Sequence, residues 1–377
     1  MSERPRFSIL MPTHNRADVV GFAIKSVLAQ TEPSFELLIV GDGCTDDTAN
    51  VVAVCADPRI RWFDLPKAPH FGYANRNFAL REARGELVAF AAHDDLLFPD
   101  HLARLSARLE ETGAEWVYSR PLWVSPDGVV MPLCGNLKNA DELARFLQAE
   151  NFIPASCIVH TRACLEKYGY WREDLAEAAD WELWRRIIEG GSCENFAYDA
   201  VPTTLHFKAN WRKRLDPAVT SLVALAKASN WWPQALRLRI DPGGPEQAVF
   251  SQRLHDAASG WVEEVRRAVV TVVERLAWEH TMHGLGERDR AREEAAILAS
   301  LLRQRDAEIA ELTDLIGTLG DHATALRMPL SPPAEFREQL YLQVNPDVAE
   351  AVQNGEVQSG FEHWLRHGRR EHRPLRP

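Results

Sequence analysis

No run of about 18 or more apolar residues occurs in the 377-residue chain, which excludes a membrane-spanning helix. Cysteine is sparse. The six residues at 44, 55, 134, 157, 164 and 193 form no C-x-x-C pair, and the opening Met-Ser-Glu-Arg-Pro-Arg lacks the apolar segment of a secretory signal. Reduced thiols in a cytoplasmic protein are therefore expected. Basic charge is also short, with 43 Lys and Arg against 54 Asp and Glu and a formal net charge of -11. That balance disfavours a nucleic-acid partner, which needs clustered cations to neutralise phosphates. Neither G-x-G-x-x-G nor G-x-x-x-x-G-K follows the first apolar strand, so the dinucleotide fingerprint and the phosphate loop are both missing.

What is present is a normal soluble composition, 46% hydrophobic and 26% charged, over a length that implies two or three domains. The stretch Leu87-Val88-Ala89-Phe90-Ala91-Ala92-His93-Asp94-Asp95 reads as a buried parallel strand ending in two carboxylates. Phe7 to Met11 is a strand that breaks into Pro12-Thr13-His14-Asn15-Arg16, and a helix follows from about Ala17 to Gln30. Phe35 to Val40 is a second strand and ends in Gly41-Asp42-Gly43-Cys44-Thr45-Asp46-Asp47-Thr48. A third strand covers Ile60 to Asp64, and a helix opens near Gly72-Tyr73-Ala74-Asn75-Arg76-Asn77. This βαβαβαβ rhythm predicts right-handed crossovers and a parallel sheet. Thr13 to Arg16, Asp42 and Asp94-Asp95 then share one edge, where ligands of open α/β sheets bind. A carboxylate pair there suits a hard divalent cation against a phosphate, although Asp94 or Asp95 could equally cap the helix that Pro99 helps to open.

These residues resemble a family. Met11-Pro12-Thr13-His14-Asn15-Arg16, Gly41 to Thr48, Arg76-Asn77 before Ala83-Arg84-Gly85-Glu86, and His93-Asp94-Asp95 before Pro99 look like the successive motifs of family-2 nucleotide-sugar glycosyltransferases. The resemblance implies the A-type glycosyltransferase fold, a mostly parallel nucleotide-binding α/β sheet flanked by helices, here followed by an α-helical C-terminal region. It implies that Thr13 and Arg16 lie by the nucleotide, that Asp42 accepts from the base, and that Arg76 approaches the diphosphate. Asp94 is then at ribose or metal, and Asp95 ligates Mg²⁺ or Mn²⁺. Ala179-Asp180-Trp181-Glu182-Leu183-Trp184-Arg185-Arg186 resembles the family's Glu-Asp-x-Asp/Glu-Leu-x-x-Arg motif, which makes Asp180 the catalytic base; taken alone, Asp180 reads as a helix N-cap. His206 is a candidate metal ligand and Lys208 a diphosphate contact, beside the basic stretch Trp211-Arg212-Lys213-Arg214. The chain departs from the family pattern at Gly41, Ala92 and Ala179, where acids are usual.

The expected activity is inverting transfer of a sugar from a nucleoside-diphosphate sugar to a glycan, lipid-linked or protein hydroxyl, in bacterial surface-glycan assembly. The alternative is a non-catalytic nucleotide-binding scaffold that recruits partners through its C-terminal helices. The expected organisation is a catalytic domain at 1–215, a helical extension at 216–285, a coiled-coil-like helix at 286–328 and a small helical module at 329–377. Trp231-Trp232 with Lys227, Arg237 and Arg239 leaves two readings open, packing on the catalytic domain or peripheral contact with the inner face of a membrane. A heptad seam through Ala291, Ala295, Leu298, Leu302, Arg305, Ile309, Leu312, Ile316 and Leu319, preceded by a break at His283-Gly284-Leu285-Gly286, points to a helical hairpin or a homo-oligomer. In the tail, His363 and His367 stand one turn apart on what reads as a solvated helix face.

Overall fold

The computed structural model describes residues 4–375 except 134, 192–194, 208–216, 241–242, 257, 259, 326–331 and 333, and gives backbone alone for 217–220 and 319–325. Lys208, Trp211 to Arg214, Cys134 and Cys193 lie outside the described residues. The chain divides into two compact units, Met1–Glu279 and His280–Pro377.

The first unit begins with β1 (Phe7–Thr13), α1 (Val20–Leu28), β2 (Phe35–Asp42), α2 (Thr48–Val54), β3 (Ile60–Leu65), α3 (Tyr73–Arg81) and β4 (Leu87–Phe90). β1 and β2 are apolar nearly throughout and almost wholly buried, as strands covered on both faces must be. β1 pairs in parallel with β2, Thr13 beside Gly41, and with β4, Leu10 beside Phe90. That register brings Thr13, Asp42 and the chain leaving Phe90 to one edge. β5 (Leu96–Leu97), α4 (His101–Thr112), β6 (Trp116–Ser119), β7 (Leu122–Val124), β8 (Val130–Pro132), α5 (Ala140–Gln148), β9 (Ile158–Thr161), α6 (Arg162–Tyr168), α7 (Ala179–Gly190), β10 (Phe196–Asp199) and β11 (Thr204–Phe207) follow. The main sheet has the order β10-β6-β9-β4-β1-β2-β3, and only β9 runs antiparallel to its neighbours.

A second sheet, β5-β11-β7-β8, was not foreseen. The turn at Ser125 to Gly128 joins β7 to β8, while Trp116 to Ser119 is buried inside the main sheet. β5 forms immediately after Asp95, so the acid pair sits at the junction of the two sheets. Asp100, not Asp94 or Asp95, stands at the N-cap of α4, which removes the capping reading of the pair.

α8 (Pro217–Ala228), α9 (Glu246–His255) and the start of α10 (Trp261–Ala325) complete this unit's third apolar cluster. Trp232 is 2% exposed in that cluster, with Leu205 and Phe250. Packing thus accounts for the Trp231-Trp232 stretch. No described helix is long and apolar enough to cross a membrane.

α10 continues into the second unit without interruption at 283–286. Two helical glycines cost about 1 kcal/mol each relative to alanine, which the strong helix formers on either side offset. α11 (Glu338–Val344), α12 (Pro346–Gln353) and α13 (Gly360–His363) enclose a small core of Phe336, Tyr341 and Val348. His363 Nδ1 lies 3.2 Å from the Tyr341 hydroxyl, so this histidine belongs to the module's own packing.

Candidate active site

Two cavities open at the edge where β1, β2 and β4 end. The first, about 480 Å³, is lined by Thr13, Arg16, Asp42, Lys67 and Arg76 among others; the second, about 330 Å³, by Arg76, Asp94, Asp95, Trp171, Asp180 and His206 among others. Pro12, Phe71, Arg76 and His93 line both, so the cavities adjoin. Every site residue expected from the sequence that is described lines one or the other. The structure brings them together from six separate stretches of chain.

In the first cavity Asp42 is buried, and its carboxylate accepts from Ala68 N (2.8 Å), Asn75 Nδ2 (2.7 Å) and Lys67 Nζ. A side chain at Gly72 would collide with that carboxylate, with its Cβ 2.5 Å from Oδ2, and Gly72 has φ of +71°. Glycine is therefore required on both counts. The Thr13 hydroxyl is buried without a partner among the described residues. Asn15 and Asp46 tie the two loops together: Asn15 Oδ1 accepts from Thr45 N at 2.7 Å and Asp46 Oδ2 from Ala17 N at 3.1 Å.

Arg76 lies between the cavities. Its guanidinium sits 5.1 Å from the ring centroids of both Tyr73 and Trp171, and its Nε is buried with no acceptor among the described residues. Desolvation pulls its pKa down, opposed by Tyr73, Asp180 and Asp42. A guanidinium still charged and short of acceptors is suited to a phosphate oxygen.

In the second cavity Asp95 is 2% exposed and fully engaged. Ser156 Oγ donates to it at 2.6 Å, Phe207 N at 3.1 Å, and His206 Nδ1 lies 3.0 and 3.1 Å from its two oxygens. Asp94 next to it is less enclosed, at 9% exposed, and its carboxylate accepts no hydrogen bond from the described residues. The nearest cation-capable atom is His93 Nε2 at 3.9 Å. Burial pushes the Asp94 pKa up, with Asp95 adding to the rise and His93 opposing it. His93 Nδ1 is 3.0 Å from the Pro12 carbonyl, which can only accept; Nδ1 must carry the hydrogen, and in the neutral ring the Nε2 lone pair faces the cavity side.

Asp180 stands in the first turn of α7, after Ala178, a non-glycine residue at φ +58° that serves as the N-cap. Its Oδ1 accepts from Trp181 N at 2.8 Å and the side chain is half-buried at the cavity wall. Arg186 anchors this helix through Glu182 (2.9 Å) and the Tyr170 carbonyl (2.8 Å), beside Trp171. Sequence reasoning missed Ser156, His93, Trp171 and Lys67. Of these only His93 carried a signal, as the residue before the acid pair.

Residues 8–169 match the family model described as Glycosyl transferase family 2. The chain carries a family-2 glycosyltransferase domain. It is 40% identical over 98 residues to an uncharacterized glycosyltransferase of Rickettsia conorii, covering 26% of this chain and 16% of that one. It is 35% identical over 124 residues to the succinoglycan biosynthesis protein ExoO of Rhizobium meliloti, covering 33% and 35%. The chain thus spans well under two-thirds of either curated relative. Among solved structures, TarS of S. aureus in complex with UDP-GlcNAc aligns over 60% of this chain and 67% of that one, with a TM-score of 0.47 and 19% identity.

The glycosyltransferase domain also accounts for two of its departures from the family pattern. A Cβ at Gly41 would lie 2.4 Å from the Trp62 ring, so no acid fits there without moving that ring. Ala179 is fully buried in the main core and its N–H meets the Tyr73 hydroxyl at 3.3 Å, where a carboxylate would be desolvated. At Ala92 the N–H donates to Ser156 Oγ at 2.9 Å, the hydroxyl that also holds Asp95.

Proposed function

We propose that this chain is an inverting glycosyltransferase that moves a sugar from a nucleoside-diphosphate sugar to a hydroxyl acceptor in bacterial surface-glycan assembly, on the cytoplasmic side of the membrane. The observation that carries this is the pair of adjoining cavities with Arg76 between them. Thr13, Arg16 and Asp42 hold the nucleotide in the first, Arg76 meets the diphosphate, and the sugar points into the second toward Asp180. Asp180 takes the proton of the acceptor hydroxyl while that oxygen forms its bond to the anomeric carbon, and the bond to the diphosphate breaks on the opposite face. A carboxylate so placed contributes about 10²–10⁴ in rate. The catalytic role falls to residues 1–215, buttressed by 216–285, and the acceptor is a glycan, a lipid-linked sugar or a protein. The name of the ExoO relative supports the polysaccharide setting.

The donor set suits Mg²⁺ or Mn²⁺. Asp94 offers a carboxylate with no donor among the described residues, Asp95 holds His206 through Nδ1, and His93 Nε2 stands 3.9 Å from Asp94. Among the described residues no three His, Cys, Asp or Glu side chains form a ready cage, so a bound cation would need diphosphate oxygens and water as further ligands. A bound cation would offset charge on the departing diphosphate.

The test is sugar transfer and donor hydrolysis with a panel of UDP-, GDP- and dTDP-sugars, with and without Mn²⁺, reading the anomeric configuration by proton NMR. One donor consumed with inversion is the expected result. Nucleotide binding without turnover of any donor, in wild type and Asp180→Asn alike, would instead favour the scaffold reading.

A further inference from the structure

Half of the second unit's long helix is wet where it should be dry. Between residues 297 and 316, eight large apolar side chains are each more than half exposed, among them Leu298 at 60% and Leu312 at 57%. A helix gains most of its stability from burying such a stripe, and an exposed apolar stripe of this length marks an association face. The seam repeats every seven residues with a positions at Ala295, Leu302, Ile309 and Ile316 and d positions at Ala291, Leu298, Arg305 and Leu312. Leu301 and Leu315 widen it on one flank, at 54% and 56% exposed.

The order of sizes and charges along the seam selects the partner. The stripe is small at its start, Ala291 and Ala295, and large at its end, Ile309, Leu312 and Ile316. A parallel in-register pair would set alanine against alanine and Arg305 against Arg305. Such a pair has a thin beginning and two like charges in its core. Reversing one helix fills the thin start and takes the two arginines out of a shared layer. Placing a two-fold axis between residues 303 and 304 pairs Ala291 with Ile316, Ala295 with Leu312, Leu298 with Ile309 and Leu302 with Arg305. Every layer is then one a and one d position. Arg305 then faces Leu302, its twin lies one layer away, about 4.5 Å along the axis, and Asp306 of the opposite helix lies about one turn further along, within reach of the guanidinium that it can neutralise.

We propose that this chain forms a dimer through an antiparallel coiled coil of residues 291–316 with a second copy of itself. The complementarity is internal to one sequence, small against large and cation against carboxylate, which is what a two-fold interface requires. The pairing is independent of the chemistry assigned to the first unit.

Cysteine crosslinking in the full chain tests it. Leu298→Cys/Ile309→Cys places the two sulfurs of opposite chains in facing layers, and mild oxidation should give a covalent dimer far above the wild-type background. Leu298→Cys alone should give none, because the two copies of residue 298 lie about 16 Å apart along the axis, beyond disulfide reach. Sedimentation at micromolar concentration should find a dimer for wild type, and Leu312→Asp should weaken it about a hundredfold or more, since it sets a bare charge in an apolar layer. A monomer for wild type, crosslinking by Leu298→Cys alone, or a double variant that crosslinks no better than wild type would each overturn the proposal.

Discussion

At the end of β2 the Asp42 carboxylate is held by Lys67, the Ala68 N–H and Asn75, whereas at the end of β4 the Asp94 carboxylate has no hydrogen bond from any described residue. Between them in kind stands Asp95, one residue on, with Ser156, Phe207 N and His206 all directed at it. Satisfied acids fix geometry and add to stability. A carboxylate with no protein donor and most of its water removed is costly to charge, by roughly 1–3 kcal/mol, and is open to a ligand in the cavity. The difference separates the scaffold of this site from its working edge, and it can be attacked at each acid.

The largest effect is expected at Asp94. Asp94→Asn should lower transfer about 10²–10³-fold, the scale for removing a charge placed against the reacting group, while raising stability because a buried charge is gone. Asp95→Asn should do the reverse to the fold, losing about 1–3 kcal/mol in urea unfolding as an amide NH₂ is turned on groups that donate. If both variants lose stability, the contrast between the two acids is wrong.

The contrast also has a pH signature. The folded-state pKa of Asp94 is raised above its ordinary 3.8, so the native protein holds that proton more tightly than the unfolded chain does. The stability that this proton supplies is present at low pH and lost as pH rises through the raised value. Asp94→Asn should therefore match wild type near about pH 4 and outrun it toward neutrality, measured by urea unfolding in EDTA. A gap that does not change with pH would remove burial as the cause. Smaller still is Ser156→Ala, which should cost about 1–2 kcal/mol by freeing both Asp95 and the Ala92 N–H. Lys67→Ala should cost under about 1 kcal/mol, because Lys67 is 45% exposed in its pair with Asp42.

The acids at strand ends were legible because a buried strand is a continuous apolar run and a carboxylate that stops it is conspicuous. Parallel order then followed from strand and helix alternation, and with it the meeting of Thr13, Asp42 and Asp94 at one edge. Ser156 was illegible because a serine in a loop has no pattern, and its importance comes from β9 bringing it beside Asp95. Trp171 was illegible for the same reason, although its ring stands beside the Arg76 guanidinium. The second sheet went unseen because β5 and β8 are two and three residues long, too short to show a period. At 283–286 the expected helix break failed for an energetic reason: glycine weakens a helix but keeps its backbone N–H, unlike proline.

The most direct measurement compares wild type with Asp180→Asn on two readouts, nucleotide affinity by calorimetry and sugar transfer by product formation, in the same buffer and with the same donor. Affinity within about twofold, with transfer reduced about 10²–10⁴-fold, is the predicted result, because the proposed arrangement turns Asp180, which lines the second cavity and not the first, toward the acceptor, with the nucleotide in the first. Transfer that survives the substitution unchanged would contradict it.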